Sequence, residues 1–452
     1  MDKLIGRKAE IKEFNKYINS GSAEFIAVYG RRRIGKTFLV RSIFKNSFAF
    51  ETTGIIDGNR DEQMSVFVNS LRNIGFQGKT PQNWIEAFEE LRKLLEPKVK
   101  ESDERVVVFI DELPCFETQK SGFLKAFANF WNSWANWQDN VMLIVCGSAT
   151  SWMVDNLVNN HSGLYDRLTH QIHLRQFTLQ ETMEYFNSKG YGYSKLLILH
   201  IYMAFGGVPY YLRYFNKGES FAQAVDRLFF ADGVLKNEFG QMFSSLFKQP
   251  EVYVQVLKAM SKPNSGLTRQ EINEKLKKYD NGHLTKVLSD LEKCDFIRRF
   301  NTIGKNNKIK TSSCFYQLVD FYTIFYFTFA DYANSNPSYW QSNLGSPSIN
   351  NWCGLALERV VMSHIGKIKD ALGISNVQCE FYSWRSKDLD KNVQIDMVLD
   401  RADGIINICE VKYSANEFVL SKDEYLKIQR RASVFKAQTN TKSTVLPTLI
   451  TS

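Results

Sequence analysis

The chain contains 452 residues, more than a single ordinary hydrophobic core holds, so about two to four domains are expected. Hydrophobic residues make up 44% of it and aromatic residues 14%, a globular composition that excludes a predominantly disordered protein. The net charge of +9 favours a polyanionic partner such as nucleic acid, although a basic balance also occurs in proteins that are merely kept soluble by it.

Seven cysteines are scattered without a C-x-x-C pair, which predicts reduced core thiols and no zinc site. The first residues, MDKLIGRKAEIKEF, are charged from the second position and lack the apolar segment of a signal peptide. The most apolar region, residues 315–330, is shorter than the ~20 residues of a membrane span and contains Gln317 and Asp320. We therefore expect a soluble, cytoplasmic protein with no membrane partner.

The first elements in chain order are an amphipathic helix, an apolar strand at 25–29, and a helix at 38–44. Between the strand and the second helix stands GRRRIGKT, the G-x-x-x-x-G-K-T phosphate-binding loop. Its backbone amides and the helix N-terminus would hold a phosphate chain, with Lys36 reaching the β- and γ-phosphates and Thr37 placing its hydroxyl on Mg²⁺. The loop predicts nucleoside triphosphate binding by Gly30, Arg31, Arg32, Arg33, Ile34, Gly35, Lys36, Thr37 and Phe38.

A second strand at 47–53 and helices at 61–74 and 84–95 lead to a fully apolar strand at 105–112 that ends in Asp111 and Glu112. Such strands occur in parallel sheets covered on both faces, and acids at their carboxyl ends lie at the phosphate end of the sheet. Asp111 is predicted to help hold Mg²⁺ through water, and Glu112 to polarise the attacking water. The alternative is a strand followed by a plain acidic turn.

An aromatic helix at 123–134 precedes another apolar strand at 141–146, after which Ser148 either senses the γ-phosphate or simply caps a helix. Further on, Arg167 precedes a short strand at 171–174. Arg167 could reach the transferring phosphate from its own chain or from a neighbouring copy, or could form an ordinary ion pair near Asp166.

From Thr178 onward helices dominate, and Gly206–Leu212 interrupts them sharply before an amphipathic stretch at 221–242. The next unit has the order of a winged helix, with helices at 251–260, 267–272 and 282–293 and strands at 296–300 and 313–318 around a basic loop. DNA contacts would come from His283 and Lys286 on the last helix and from Lys305, Lys308 and Lys310 in the loop. The alternative is a winged helix used only for packing, since Asp290 and Glu292 dilute the basic face.

A polar segment at 334–350 is predicted to be a linker. Beyond it a helix at 354–368 contains Glu358, and strands follow at 377–384, 393–399 and 405–412 before a last helix at 422–436 and an apolar end at 445–450. Asp396 in one strand and Glu410 and Lys412 in the next form the arrangement that binds a divalent metal and sets a lysine beside a water. The alternative is two amphipathic strands whose charged faces meet solvent.

The N-terminal two-thirds resembles the archaeal-type ATPases of the STAND group, relatives of the AAA+ proteins. The resemblance rests on Gly6-Arg7-x-x-Glu10, GRRRIGKT, VVVFIDE, CGSAT, DRLT and Gly206-Gly207-Val208-Pro209, which occur in the family's order. It implies that Arg7 lies near the nucleotide base and that Pro209 belongs to a segment reporting the nucleotide state.

The C-terminal part resembles the PD-(D/E)xK nuclease fold that is often fused to these ATPases. Asp396, Glu410 and Lys412 match its signature, and Glu358 matches a helix acid of many members, whereas Ile395 stands where the proline is usual. The resemblance implies metal binding by these acids, with Lys412 beside the nucleophilic water. It leaves cleavage undecided, because the same residues can persist in an inactive DNA-holding version.

Together these observations predict an α/β multidomain protein: a P-loop parallel-sheet ATPase core with a helical lid, a winged helix, and a small restriction-endonuclease-like domain. We expect it to bind and hydrolyse ATP with Mg²⁺ and to act on DNA. Two alternatives remain, a nucleotide-switched DNA-binding regulator with an inactive nuclease fold and a nucleotide-switched protein-binding scaffold; self-association into a homo-oligomer is left open. The predicted boundaries are 1–175 (core), 176–250 (lid), 251–333 (winged helix), 334–350 (linker) and 351–452 (nuclease-like domain).

Overall fold

The structure, a computed structural model, describes residues 3–158, 164, 167–230, 232–261, 266–276, 281–303, 309–331, 336–386 and 393–452. Asp166, Lys305 and Lys308 lie outside these ranges, and Lys310 and Asp396 are described by their backbone alone. Two compact units are formed, Met1–Phe177 with Val208–Tyr210, and Thr178–Gly207 with Tyr211–Ser452. The finer division of the second unit remains a prediction.

The first unit is built on a five-stranded sheet of order β2-β3-β4-β1-β5, in which every pair is parallel. Its elements in chain order are α1 (Lys8–Ile18), β1 (Glu24–Tyr29), α2 (Lys36–Ile43), β2 (Phe50–Thr53), α3 (Arg60–Asn73), α4 (Trp84–Glu101), β3 (Val106–Asp111), α5 (Phe123–Ser133), β4 (Val141–Gly147), α6 (Thr150–Met153) and β5 (His170–His173). The parallel-sheet core predicted from the sequence is confirmed.

Hydrophobic clusters cover both faces of this sheet. Phe25 and Ala27 of β1 pack into one cluster with the aromatic side chains of α3, α4 and α5, and Ile26 and Val28 pack into the other with α1 and α2. Because both faces are buried, the strand needs apolar residues at every position, which explains why the sequence shows no alternation. The carboxyl ends of β1, β3 and β4 therefore meet at one edge.

The second unit contains two further sheets, of order β6-β8-β7 and β12-β11-β10-β9. Both are antiparallel except for the parallel pair β11–β12. The elements are α7 (Leu179–Ser188), α8 (Lys195–Phe205), α9 (Pro209–Leu212), α10 (Phe221–Phe229), α11 (Val234–Leu246), α12 (Pro250–Met260), β6 (Leu267–Thr268), α13 (Arg269–Leu276), α14 (Asn281–Lys293), β7 (Ile297–Ile303), β8 (Ile309–Leu318), α15 (Phe321–Phe325), α16 (Tyr339–Ser342), α17 (Pro347–Ser363), α18 (Ile365–Ala371), β9 (Cys379–Arg385), β10 (Gln394–Arg401), β11 (Ile405–Lys412), α19 (Lys422–Thr439) and β12 (Thr444–Thr451).

Residues 336–350, which belong to the segment predicted as a polar linker, are partly helical and partly buried. Within it Trp340 is 1% exposed, and the backbone amide of Trp340 donates a hydrogen bond to the buried Asp226 carboxylate at 2.7 Å. The serine and proline that suggested a linker serve as helix-start residues, because Ser346 caps α17 and Pro347 occupies its first turn. The helix expected from 354 therefore begins at Pro347.

Two other helices depart from the sequence pattern. α4 continues past Pro97 to Glu101, because Leu95 and Val99 are buried on either side of the proline and packing offsets the lost hydrogen bond. The predicted helix at 354–368 ends at Ser363, and α18 begins at Ile365. Among the described residues, no helix is long and apolar enough to cross a membrane.

Candidate nucleotide site

The phosphate-binding loop joins β1 to α2, as its sequence predicts, and two glycines allow its shape for different reasons. Gly30 has φ 145°, and a Cβ there would stand 2.2 Å from the carbonyl oxygen of Leu174. Gly35 has φ 91° with open space around it, so its requirement is conformational. Arg33 also has a positive φ of 73°, so the loop curls between the two glycines.

Lys36 lies inside this curl rather than in solvent, with 6% of its surface exposed. Its ammonium donates hydrogen bonds to the carbonyl oxygens of Gly30 at 2.9 Å and Arg31 at 3.1 Å. Burial lowers the pKa of Lys36, and the Glu112 and Asp111 carboxylates act in the opposite direction. A buried cation held at the loop mouth is positioned for phosphate oxygens.

Thr37 and Asp111 meet across the sheet edge. The Thr37 hydroxyl donates a hydrogen bond to Asp111 Oδ2 at 2.7 Å, although the two residues are 74 positions apart in the chain. Burial raises the pKa of Asp111, with the Glu112 charge acting in the same direction and the Thr37 hydrogen bond opposing both. The contact joins an alcohol oxygen and a carboxylate oxygen, the donor types that Mg²⁺ prefers, so these residues fit the metal.

Glu112 and Ser148 form the second contact between strand ends. Glu112 Oε2 accepts hydrogen bonds from the Ser148 hydroxyl at 2.8 Å and from the Ser148 backbone amide at 3.2 Å. Glu112 itself has φ 47°, a left-handed conformation that turns the chain out of β3 directly after Asp111. The two acids predicted from one strand are therefore held by different partners, Thr37 and Ser148.

Two arginines of the first unit, Arg7 outside the loop and Arg33 within it, connect the loop to neighbouring segments. Arg7, 4% exposed, donates a hydrogen bond to the carbonyl oxygen of Ile34 at 3.0 Å, and its guanidinium lies 4.7 Å from the Phe177 ring centre. The Arg33 guanidinium lies 3.9 Å from the ring centre of Tyr210. Arg7 thus contacts the loop backbone, and the segment that contains Pro209 lies against the loop through Tyr210.

The remaining predicted residues of this site differ in exposure. Arg31 is buried, Arg32 is half-buried, and Phe38 at the start of α2 is 39% exposed. Arg167 is exposed, with its backbone amide bonded to the carbonyl oxygen of Leu164. Its exposed position alone does not show that Arg167 reaches the predicted phosphate-binding residues, so its catalytic role stays a prediction.

In the second unit, β11 carries Glu410 and Lys412, the acid and the lysine of the predicted metal site. Lys412 Nζ lies 2.9 Å from Glu410 Oε1, as neighbouring side chains on one face of a strand should, and Arg431 of α19 pairs with Glu410 Oε2. Glu410 is 8% exposed, so its charge requires such partners. Glu358 lies half-buried on α17, which packs against β11.

The backbone of β10 is irregular where Asp396 stands. Its register against β9 shifts between Ile395 and Val398, and bulges of this kind are frequent beside functional sites. Met397 pairs with Cys409 of β11, so Asp396 and Glu410 are each one residue beyond a recorded pair. Among the described side chains, which do not include that of Asp396, no three His, Cys, Asp or Glu residues cluster as metal ligands.

The predicted DNA-contacting residues of α14 are exposed, and Lys286 contacts a buried carboxylate. Lys286 Nζ lies 3.2 Å from Asp290 Oδ2, and the same carboxylate oxygen accepts a hydrogen bond from Tyr253 at 2.8 Å. His283 is exposed on the same helix. Asp290, which reduces the positive charge of this helix face, thus also joins α14 to α12.

Arg431, Tyr210 and Arg298 were missed by reasoning from the sequence. Arg431 is one of two adjacent arginines in a helix 21 residues beyond Glu410, and only the fold selects it. The side chain of Arg298 is largely buried and donates hydrogen bonds to the carbonyl oxygen of Met362 at 3.2 Å and to Gln317 at 3.1 Å. Tyr210 directly follows Pro209, so its position in the Gly-x-Pro segment was the available signal.

Comparisons with known proteins agree with this geometry. Residues 4–215 match a family described as an ATPase domain predominantly from Archaea. An uncharacterized protein of Methanocaldococcus jannaschii is 25% identical over 328 residues, which cover 72% of this chain and 68% of that protein. The Walker-type ATPase of Pyrococcus abyssi is similar in fold, with a TM-score of 0.54 at 18% identity over 72% of this chain and 96% of that chain.

The ORC2 protein of Aeropyrum pernix, solved in ADPNP–ADP complexes, has a TM-score of 0.45 at 10% identity, covering 80% of this chain and 96% of that chain. The family match and the loop geometry agree on the same segment. Residues 4–215 are therefore the part of the chain that is similar to archaeal ATPase domains.

Proposed function

We propose that this protein hydrolyses ATP with Mg²⁺ at the edge of the parallel sheet and uses the cycle to act on DNA. The observation that carries the first part is the convergence of Lys36 and Thr37, at the start of α2, with Asp111 and Glu112, at the end of β3. An adventitious glycine–lysine turn would not bring a threonine hydroxyl into contact with a carboxylate on another strand.

In this proposal the loop amides and Lys36 bind the β- and γ-phosphates, and Thr37 and Asp111 hold Mg²⁺. A bound Mg²⁺ ion neutralises charge on the phosphate oxygens. Glu112 orients the attacking water for in-line displacement, and the Ser148 hydroxyl, hydrogen-bonded to Glu112 in this structure, contacts the γ-phosphate. Arg7 would lie near the nucleotide base and Pro209 would belong to the segment that reports the nucleotide state, as the resemblance to the STAND ATPases implies.

The test separates binding from hydrolysis. Glu112→Gln should bind a fluorescent ATP analogue with an affinity close to that of the wild type, because the loop is untouched, and should lose hydrolysis by about a hundredfold or more. Lys45→Ala, on an exposed lysine beyond α2, is the matched control for the effect of an ordinary surface change. Hydrolysis at the wild-type rate by Glu112→Gln would overturn the assigned role.

DNA binding is proposed for the region from α12 to β8. Support comes from the order helix, short strand, helix, helix and two-stranded hairpin, which is that of a winged helix, and from the exposed His283 and Lys286 on α14. The hairpin lysines Lys305, Lys308 and Lys310 would meet phosphates. Binding of duplex DNA should fall steeply with salt, and a Lys305→Ala/Lys308→Ala double variant should reduce the logarithmic salt slope by about two.

One observation favours the alternative that this region only packs. The guanidinium of Arg298 in β7 donates hydrogen bonds to Met362 of α17 and to Gln317 of β8, and it lies 5.9 Å from the Phe381 ring centre of β9. The hairpin base is therefore committed to contacts within the second unit. Unchanged DNA mobility at low salt would support this alternative and, with it, the protein-binding scaffold.

Metal-dependent cleavage is proposed for the region from α17 to β12. Support comes from its helix, three-strand, helix and strand order, from the Glu410–Lys412 contact, and from the irregular β10 backbone at Asp396. Mg²⁺ or Mn²⁺ would be held by Asp396 and Glu410, with Glu358 as a further acid. Cleavage of supercoiled DNA that disappears in Lys412→Ala would support the nuclease; duplex binding without cleavage would support the inactive regulator.

Self-association is proposed only as the way in which the exposed Arg167 could serve a neighbouring copy. The mass of the protein in solution, measured by light scattering with and without ATP, tests this directly. A monomer under both conditions would leave Arg167 with no neighbour to serve.

A further inference from the structure

An apolar cavity of about 800 Å³, partly open to solvent, lies within the second unit and belongs to none of the sites above. Its walls are aliphatic and thioether side chains: Leu179, Met183, Leu199, Leu357, Val360 and Val361. The first three belong to α7 and α8, and the others to α17. The volume falls in the range of small-molecule sites and far exceeds the packing defects of a protein interior.

The two walls are joined by a histidine whose ring nitrogens are both engaged. His364 Nε2 accepts a hydrogen bond from the backbone amide of Leu179 at 3.0 Å, and Nδ1 lies 2.8 Å from the carbonyl oxygen of Val360. Burial lowers the pKa of His364, which agrees with a neutral ring that donates at Nδ1 and accepts at Nε2. His364 therefore holds the walls in place and is not offered to a ligand.

A third side is closed by the segments after β11 and at the end of β12. The Ser452 hydroxyl donates to the carbonyl oxygen of Ser414 at 2.7 Å and accepts from the Ser414 amide at 2.8 Å. Thr178 caps α7 through a reciprocal hydrogen bond with Glu181. Because its edges are tied by hydrogen bonds, the cavity is a built feature of the fold rather than a gap between loosely placed segments.

The charges at the rim are unequal. Lys195 and Lys367 line the cavity with exposed side chains, and the first turns of α7 and α8 add positive ends of helix dipoles, whereas Glu417 and the last turn of α17 contribute negative charge. Lys367 lies 3.8 Å from Asp370, a long and exposed pair that leaves most of its charge available. An apolar interior under a cationic rim matches a ligand with a hydrocarbon body and an anionic head.

We propose that this cavity binds a single-chain aliphatic carboxylate, with its chain along the leucine and valine walls and its head group at Lys195 and Lys367. A saturated chain of about ten carbons presents only apolar surface to these walls. Each methylene removed from the chain should weaken binding about fourfold. A cationic head group on the same chain should be rejected by the two lysines.

The test is calorimetric titration of the full chain with octanoate, decanoate and dodecanoate, and with decanol and decyltrimethylammonium, all below their aggregation concentrations. Affinity should rise along the carboxylate series, and decyltrimethylammonium should bind at least about tenfold more weakly than decanoate. Met183→Trp fills the cavity and should weaken decanoate about tenfold. Absence of heat with all three carboxylates at two well-separated temperatures, or an equal affinity for the cationic chain, would overturn the proposal, because the enthalpy of apolar burial changes with temperature.

A charge-reversal pair keeps the test decisive if the tryptophan variant fails to fold. Lys195→Glu/Lys367→Glu alters only exposed side chains; it should weaken decanoate about tenfold and leave decanol unchanged. Lys422→Glu, on an exposed lysine of α19 that does not line the cavity, is the matched control and should bind decanoate like the wild type. Equal weakening of decanoate and decanol by the charge reversal would contradict the assigned head-group position.

Discussion

The contact between Glu112 and Ser148 gives a sharp test of how the ATPase site works. Ser148→Ala removes the hydroxyl that donates to Glu112 Oε2 at 2.8 Å and leaves the backbone amide bond at 3.2 Å in place. The variant thus deletes one hydrogen bond to a charged group without displacing the strand end. Such a bond contributes about 1.5–3 kcal/mol.

If the Ser148 hydroxyl also contacts the γ-phosphate during turnover, its hydrogen-bond energy stabilises the transition state. The kcat for ATP should then fall about tenfold to a hundredfold, with a much smaller change in KM. Steady-state phosphate release at saturating ATP measures this, and Ser151→Ala, in the neighbouring α6, is the matched control. A kcat equal to or above that of the wild type would refute the reasoning, since it would mean that Ser148 only restrains Glu112.

Three further predictions concern the second unit. Arg431→Ala should lower the free energy of unfolding by about 1–2 kcal/mol in urea, since it removes a cation from a buried carboxylate, whereas Arg430→Ala should change little; equal effects would contradict the pairing. Trp340→Ala should lower the free energy of unfolding by about 3–5 kcal/mol, because this side chain is buried, whereas Trp137→Ala, at a position that is 73% exposed, should change it little. Similar urea midpoints for the two variants would instead support the prediction that the segment around Trp340 is a linker. Because burial lowers the pKa of His364, its stabilising contribution is complete above a histidine's ordinary pKa and is lost as pH falls from that value through the lowered pKa of the folded state. The melting temperature should therefore drop more from about pH 7.5 to about pH 5.5 in the wild type than in His364→Gln.

The ATPase core was predictable because its signals are local and continuous. Strand, glycine loop and helix are adjacent in the chain, so the position of Lys36 follows from the spacing alone. Asp111 and Ser148 are distant in sequence but each ends an apolar strand, and parallel strands bring such ends to one edge. The order of the strands, by contrast, is set by packing and had no counterpart in the sequence.

The second unit shows where the sequence was insufficient. Polar and proline residues around Trp340 resemble a linker locally, but Ser346 and Pro347 start a helix, and the backbone amides of Trp340 and Gln341 donate to the buried Asp226 carboxylate of α10. Arg431 could not be chosen over Arg430 because the selection depends on which face of α19 meets β11. The hydrogen bond that His364, between α17 and α18, accepts from Leu179 likewise could not be predicted, because the two residues are 185 positions apart.

The most direct test of the account is steady-state ATP hydrolysis by the full chain, with and without duplex DNA, in Mg²⁺ and in a chelator. We predict hydrolysis that requires Mg²⁺, rises when DNA is added, is lost in Lys36→Ala and is unchanged in Lys45→Ala. Hydrolysis that persists in Lys36→Ala, or folded wild-type protein that hydrolyses no ATP, would contradict the central claim.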